Sequence, residues 1–331
     1  MHISTLLSDA TAIILDGSMK TAVLGGGGAM GGLFGGYLAR AGEDVTLIDV
    51  SKPAVDAINA HGLTIEEKDG SNLQVKVKAT SEPGTVGPVD LIINFVKCYH
   101  TEPAVRAAMA MAGANTTFLS LQNGWGNAER IASIAGPSRV MVGLTYHSAT
   151  LLAPARVKHP GIGMTFMGEL DGSSSERLQL VSSTLRSAGF EVTASQRILD
   201  EVWKKLALNA CTLPTSALLR FVAHQLIQHE GTVALMKGIL SEVVAVARAQ
   251  GIALDFNERW TAISGLLERA VGAKASMLQD VEAKRPTEID VINGAIVAAG
   301  RKVGIATPVN DTMVWLIKAV QESYLAEGRQ F

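Results

Sequence analysis

Two adjacent lysines, Lys204 and Lys205, stand in the stretch EVWKKLALNA, inside what otherwise reads as the apolar face of a helix. Hydride transfer to a carbonyl needs a proton donor for the oxygen that becomes an alkoxide, and a lysine in a cleft can fill that role. Val202, Trp203, Leu206, Ala210 and Leu213 recur at helical spacing and mark the buried stripe. Lys205 and Asn209 lie four apart on one flank of it, with Thr212 continuing the line, so both could reach one ligand. Lys204 is rotated away. Spacing alone fits equally well two lysines that snorkel from a helix edge.

Other polar groups raise the same question. In KRPTEIDVING, Pro286 and Thr287 read as a helix start, with Glu288 in the first turn on a face shared with Val291, Ile292 and Ala295. An acid there serves the helix dipole as readily as it serves chemistry. In FLSLQNGWGNAER a β-run ends at Gln122-Asn123-Gly124, and in DLIINFVK another ends at Lys97. Ligands of open parallel sheets bind beyond the carboxyl ends of the strands, but Asn-Gly is also an ordinary turn sequence.

These groups need a scaffold, and the glycine run VLGGGGAMGGLFGG points to one. The pattern GxGxxG fits it in the register Gly26, Gly28 and Gly31, after a strand and at a helix start, where the motif has its meaning. Gly26 would permit the tight turn, Gly28 the approach of a pyrophosphate to backbone, and Gly31 close packing of helix on strand. The next strand, VTLID, ends at Asp49, where a carboxylate would accept hydrogen bonds from the adenosine ribose of NAD and repel the 2′-phosphate of NADP. A solvated aspartate followed by Ser51 and Lys52, which could themselves hold a phosphate, is the other reading.

From Met19 onward short β-rich runs alternate with helices: MKTAVLG, VTLIDV, LQVKVKA, DLIINFV, a helix near Glu102 to Met111, and TTFLSLQ. Such alternation predicts βαβ units and a mostly parallel sheet. RVKHPGIGMTFMG reads as a hairpin turning at Pro160-Gly161, followed by a helix near Ser175 to Ala188 and the strand FEVTAS. Beyond about Asp200 only helical patterns remain. The expected organisation is therefore a loose extension over residues 1–18, a Rossmann-type dinucleotide-binding domain over 19–195, and an all-helical domain over 196–331 that carries the candidates Lys205 and Glu288.

A hydrophobic content of 47% with a net charge of −2 describes a globular chain without the basic footprint that a nucleic-acid partner requires. Cys98 and Cys211 lie far apart, with neither CxxC spacing nor clustered histidines, so neither a disulfide framework nor a metal site is expected, and the cytoplasm is the expected compartment. His224 and His229, five apart, read as surface or packing residues. The first eighteen residues lack a basic n-region and fit a signal peptide poorly, and translation could start at Met19. No apolar run reaches the length of about 18 to 20 residues that a membrane span needs.

GGGAMG, Val96-Lys97, LQNGWGN, EVWKKLALN, SMLQDVEAKRPTEIDVINGAI and GIATPVN occur in this order between Met19 and about Gly328. Together they resemble the ketopantoate reductase (2-dehydropantoate 2-reductase) family over essentially the whole chain. The resemblance implies a cleft between the two domains in which 2-dehydropantoate is reduced to pantoate by NADPH, a step towards pantothenate and coenzyme A. It implies Lys205 as proton donor and Glu288 as the glutamate that engages the substrate hydroxyl and helps organise the lysine. It further implies Asn123 near nicotinamide and lysine, Asn209 as a substrate ligand, Ser276 at the substrate carboxylate, and Lys97 with the loop Gly26, Gly28, Ala29, Met30 and Gly31 at the cofactor.

Two positions depart from the family pattern. Leu213-Pro214 stands where a second asparagine often precedes proline, which removes one contact to a substrate hydroxyl. Asp49-Val50-Ser51 lacks the arginine found near this point in NADPH users, which favours NADH. Two rivals follow: an NADH-dependent 2-hydroxyacid dehydrogenase acting on another branched 2-oxo acid, and a dinucleotide-binding sensor without turnover. A sensor has no need of a proton donor facing the nicotinamide. The expected partner is a small 2-oxo acid, and a homodimer is the expected assembly.

Overall fold

Strand-forming runs that are apolar on both faces need cover on both faces, and here the helices supply it. The structure, a computed structural model, describes residues 18–327, so the amino-terminal extension expected over residues 1–18 lies outside the described residues except for Ser18. The first part of the chain contains β1 (Thr21–Leu24), α1 (Ala29–Arg40), β2 (Val45–Ile48), α2 (Lys52–His61), β3 (Leu63–Glu66), β4 (Asn72–Val75), β5 (Lys78–Thr80) and β6 (Val89–Asn94). It continues with α3 (Thr101–Ala108), β7 (Ala112–Ser120), α4 (Asn127–Ala135), β8 (Val140–Thr145), β9 (Ser148–Ala153), β10 (Arg156–Gly161), β11 (Thr165–Glu169), α5 (Glu176–Ser187) and β12 (Val192–Ala194). Among the described residues only helices follow: α6 (Ile198–Leu219), α7 (Glu230–Ala249), α8 (Phe256–Arg269), α9 (Ser276–Glu282), α10 (Asn293–Val303) and α11 (Pro308–Glu327).

Eight strands form the main sheet in the order β12-β11-β8-β7-β6-β1-β2-β5, parallel except where β11 runs against β8. The fold class is the expected one: an α/β region of Rossmann type followed by a helical region. β1 pairs with both β2 and β6, Ala22 facing Thr46 on one side and Ile92 on the other. Each face has its own apolar core, one around Phe34, Leu47 and Leu185 and the other around Phe118, Ile131 and Val202. A third core unites the helices around Trp203, Leu240 and Ile296.

Two strand expectations are corrected. LQVKVKA is not one strand: β4 joins a separate four-stranded sheet, ordered β4-β3-β10-β9, and β5 joins the edge of the main sheet. RVKHPGIGMTFMG is not a hairpin. β10 pairs with β3 and β9 in the small sheet, while β11 pairs with β8 and β12 in the large one. Pro160-Gly161 marks a register shift within β10, with Gly161 packed against Ser148, so a local turn signal served a bulge.

α6 carries Pro214 inside a helix of 22 residues. Proline lacks the N–H that would bond the carbonyl four residues back, here that of Ala210. Asn293 Nδ2 at the start of α10 donates to the Ala210 oxygen at 3.2 Å and to Asn310 Oδ1 at 3.0 Å. The gap in the ladder thereby becomes a cross-link between helices.

A buried polar chain joins the two sheets. Tyr37 OH on α1 donates to Glu67 Oε1 at 2.6 Å, and His159 Nδ1 lies 3.1 Å from both Tyr37 OH and Glu67 Oε2. His159 Nε2 meets His147 Nδ1 at 2.9 Å. Burial, with His159 alongside, pushes the His147 pKa down to about 4 from 6.5. The unfolded chain therefore takes up this proton first as the pH falls, so the stability from a neutral His147 is present above about pH 6.5 and lost towards pH 4. His147→Phe, beside Phe34 and Phe190, should show a smaller fall in Tm between pH 6.5 and 4.5 than the native chain. Parallel Tm curves for the two would show that His147 contributes nothing to acid sensitivity.

Candidate active site

The turn from β1 into α1 is set by Gly25, which has a φ of +76°, one residue before the glycine expected to make it. Gly26 instead lies against Leu47, where an added Cβ would come within 2.6 Å of the Leu47 Cβ. At Gly31 a Cβ would stand 2.2 Å from the Gly25 oxygen, so only glycine lets α1 seat on β1. Gly28 is the cap of α1: no side chain bonds to it there, and the first turn, Ala29, Met30 and Gly31, holds no acid. Free N–H groups at a helix start, with no competing carboxylate, suit a pyrophosphate. The residues present therefore fit a dinucleotide.

Asp49 follows β2 and faces this loop. Its Oδ2 accepts from Gly27 N and its Oδ1 from Ser51 N, both at 2.9 Å. The carboxylate ties the glycine loop to the β2 end, and each oxygen keeps a lone pair for a further donor.

Lys205 reaches from α6 to the carboxyl ends of β7 and β8. Its Nζ donates to Asn123 Oδ1 and to the Thr145 carbonyl, each at 2.8 Å. The apolar stripe sets this reach: Val202, Trp203 and Leu206 are buried, and Trp203 meets Trp125 of the Asn123 loop at 5.6 Å between ring centres. Gly124, with a φ of +89°, lets that loop pass so close to Val291 that a Cβ would stand 2.3 Å from the Val291 oxygen, and Trp125 N donates to the same oxygen at 2.8 Å. Lys205 as a whole is half-buried, and protein crowds its ammonium. That burial, partly offset by the attraction of Glu288, pushes its pKa down to about 8 from 10.5. Two of its three N–H bonds are committed and one remains to donate. Lys204 instead pairs with Glu201 at 2.8 Å, along its own helix.

Asn209 and Lys205 border one small cavity of about 20 Å³, which also touches Gln122 and Asn127. It has room for a water.

Glu288 is not in the first turn of a helix, contrary to the sequence expectation. It precedes a single 3₁₀ turn at Ile289–Val291, and α10 begins only at Asn293. Tertiary bonds outcompete the local start signal: Thr287 N donates to Gln321, and Cys98 N donates to Glu288 Oε1 at 3.1 Å. Glu288 is buried, whereas Asp290 faces Lys318 at the surface. No hydrogen bond joins Glu288 to Lys205, so its charge acts on the lysine through space.

Lys97 lies between two carboxylates, 2.7 Å from Asp280 Oδ2 and 3.4 Å from Glu288 Oε2. Asp280 Oδ1 in turn accepts from Arg285 at 3.0 Å. Burial alone would lower the Lys97 pKa, but Glu288 and Asp280 outweigh it and raise it. Ser276 stands partly exposed at the start of α9, a helix packed on α6, with no hydrogen bond to Lys205, Asn123 or Glu288. Sequence reasoning missed the Thr145 carbonyl, Asp280 and Arg285. Asp280 was within reach, because it lies four residues after Ser276 and so on its helix face.

Both thiols, Cys98 and Cys211, are free and buried. Among the described residues no group of His, Cys, Asp or Glu is placed to hold a metal ion, and no helix is long and apolar enough to cross a membrane.

Family models described as ketopantoate reductase PanE/ApbA and its C-terminal part match residues 22–172 and 197–321. A 2-dehydropantoate 2-reductase of Pyrococcus horikoshii is 35% identical over 91% of this chain and 97% of its own. Among solved structures, a PanE/ApbA family ketopantoate reductase from Ralstonia eutropha superposes with a TM-score of 0.85 at 31% identity, covering 92% of this chain and 99% of that one. A D-mandelate dehydrogenase with NADH and anilino(oxo)acetate does so with a TM-score of 0.87 at 28% identity and the same coverage.

If Lys205 is the proton donor that the sequence resemblance implies, Lys205→Met should lower kcat for carbonyl reduction by about 10²–10⁴-fold, the range for loss of a general acid. Lys204→Met, which removes only the half-buried pair with Glu201 along one helix, should stay within about twofold of native. For reduction, kcat/KM should fall above about pH 8 as Lys205 loses its proton, and for alcohol oxidation it should rise there. Equal losses in both lysine variants would remove Lys205 from this role.

Proposed function

The chain belongs to the ketopantoate reductase family, and on that premise we propose that it reduces the C2 carbonyl of 2-dehydropantoate to the alcohol of pantoate. The bound nicotinamide dinucleotide supplies the hydride. One observation carries the reading: a lysine of pKa about 8 is fixed by Asn123 and Thr145 at the strand ends with one N–H left over. Lys205 gives that proton to the carbonyl oxygen as C2 takes the hydride, and the product is neutral at that oxygen. A donor with a pKa near the working pH is protonated yet gives its proton readily.

Asn123 sets the direction of the ammonium. Glu288 keeps Lys205 charged and accepts from the substrate hydroxyl, while Asn209 and Ser276 hold the rest of the acid, Ser276 at its carboxylate. Gly26, Gly28, Ala29, Met30 and Gly31 cradle the pyrophosphate, and Lys97 borders the cofactor.

For the cofactor the reading is NADH. The Asp49 oxygens stay available to ribose hydroxyls, and a 2′-phosphate would meet a carboxylate fixed by two backbone N–H groups. A second reading, another 2-oxo acid as substrate, draws on the likeness to the D-mandelate dehydrogenase. Leu213 speaks for it less than the sequence implied, since its side chain packs into the helical core.

The test is NADH and NADPH oxidation followed in parallel with 2-dehydropantoate and with an aromatic 2-oxo acid such as phenylglyoxylate. We expect the highest kcat/KM with 2-dehydropantoate, and NADH favoured over NADPH by about tenfold or more, the scale of one lost charged hydrogen bond. An NADPH preference would overturn the Asp49 argument, and a higher kcat/KM with phenylglyoxylate would move the chain to the second reading. Tight cofactor binding with no turnover of either acid would leave a sensor.

A further inference from the structure

Lys97 has a choice of carboxylates and stands much closer to one of them. The Asp280 side chain is 4% exposed and that of Glu288 8%, so each charge is costly unless partnered. Asp280 is fully engaged: Oδ2 faces Lys97 at 2.7 Å and Oδ1 faces Arg285, whose guanidinium orients it. Glu288 holds the Cys98 N–H on one oxygen and on the other only the longer 3.4 Å approach of Lys97.

We propose that Asp280 is a positioning residue: it draws Lys97 off Glu288 and so leaves the Glu288 charge to act on Lys205. The inference rests on the reading of Lys205 as proton donor. Three segments meet here: the end of β6 through Lys97, α9 through Asp280, and the stretch before α10 through Arg285 and Glu288. Their sequence separation explains why no local pattern reveals the arrangement. Without the Asp280 charge nothing holds Lys97 back. Its flexible stem closes the remaining gap, a full ion pair forms with Glu288, and Lys205 loses the anion that opposes its desolvation. Of the other groups around this cluster, Cys98, Tyr99 and Tyr324 are pushed upward by burial and stay neutral through the working range, while Arg130, which donates to the Cys98 oxygen, and Asp290 add one charge of each sign.

Simple loss of a nearby negative charge would also lower the Lys205 pKa, so one variant cannot decide. The deciding experiment is a double-mutant cycle of Asp280→Asn and Lys97→Met. Its readouts are the alkaline limb of kcat/KM for reduction and the Lys205 pKa from lysine ¹³Cε NMR of the ligand-free protein. Asp280→Asn should lower the limb by about half a unit or more. Lys97→Met should then raise it by clearly more in the Asp280→Asn background than in the native one, because only there does Lys97 cover Glu288. Asp280→Glu, which keeps the charge, should keep the limb.

Equal upward moves in both backgrounds would mean plain through-space addition and would overturn the proposal. A limb unmoved by Asp280→Asn would overturn it too. Should the amide variant fail to fold, Asp280→Ser enters the same cycle. Failure of the underlying reading looks different: the alkaline limb of the native enzyme would then survive in Lys205→Met.

Discussion

A charged ammonium taken out of water needs partners, and the two that Lys205 has lie on the other half of the molecule. Its bonds to Asn123 Oδ1 and the Thr145 carbonyl cross from the helical region to the ends of β7 and β8. Both acceptors are neutral, so they fix the ammonium without forming a buried ion pair that would hold its proton. Each break would leave a buried polar group unmatched, at a cost of roughly 1–3 kcal/mol. The constraint sets where α6 lies: its apolar stripe must dock while its polar flank meets the strand ends. Val202 belongs to the core on one sheet face and Trp203 to the helical core, so this one helix is the seam of the fold.

The same logic explains why the second half of the site departs from regular secondary structure. A helix begun at Pro286 would leave the Thr287 and Glu288 N–H groups of its first turn without partners along the helix. The chain instead gives the Thr287 N–H to Gln321, turns once at Ile289–Val291, and places Glu288 against the Cys98 amide. The Val291 carbonyl, left out of a helix, accepts from Trp125 N in the loop that carries Asn123. Local propensity yields to these bonds because a buried carboxylate needs donors more than a short segment needs to be helical.

This difference marks what could be read from the sequence. The glycine loop, the parallel sheet and the pairing of Lys205 with one flank of an apolar stripe were legible, since each rests on spacing within a few residues. Glu288 was legible as a residue and not as a geometry. The Thr145 carbonyl was invisible because a backbone acceptor leaves no mark on residue type. The small sheet escaped notice for a similar reason: LQVKVKA looks continuous, and only the pairing of β4 with β3 and of β5 with β2 divides it. The pairing of His147 with His159 bridges twelve positions across two sheets, and no periodicity encodes it.

At the glycine loop, the Asp49 carboxylate has a structural part beside the cofactor role proposed for it. Asp49 accepts from Gly27 N and Ser51 N, so it holds the glycine loop against the β2 end whatever it does for a ribose. Gly27 is pressed from the other side too, where a Cβ would stand 2.8 Å from the Ala54 Cβ. Replacing Asp49 with a small neutral residue would therefore do more than remove a repulsive charge. It would free the Gly27 and Ser51 amides and loosen the loop that leads to the uncapped start of α1. On the proposed role of Asp49, cofactor choice and loop order depend on the same two oxygens, so a substitution there has to bring new partners for those amides.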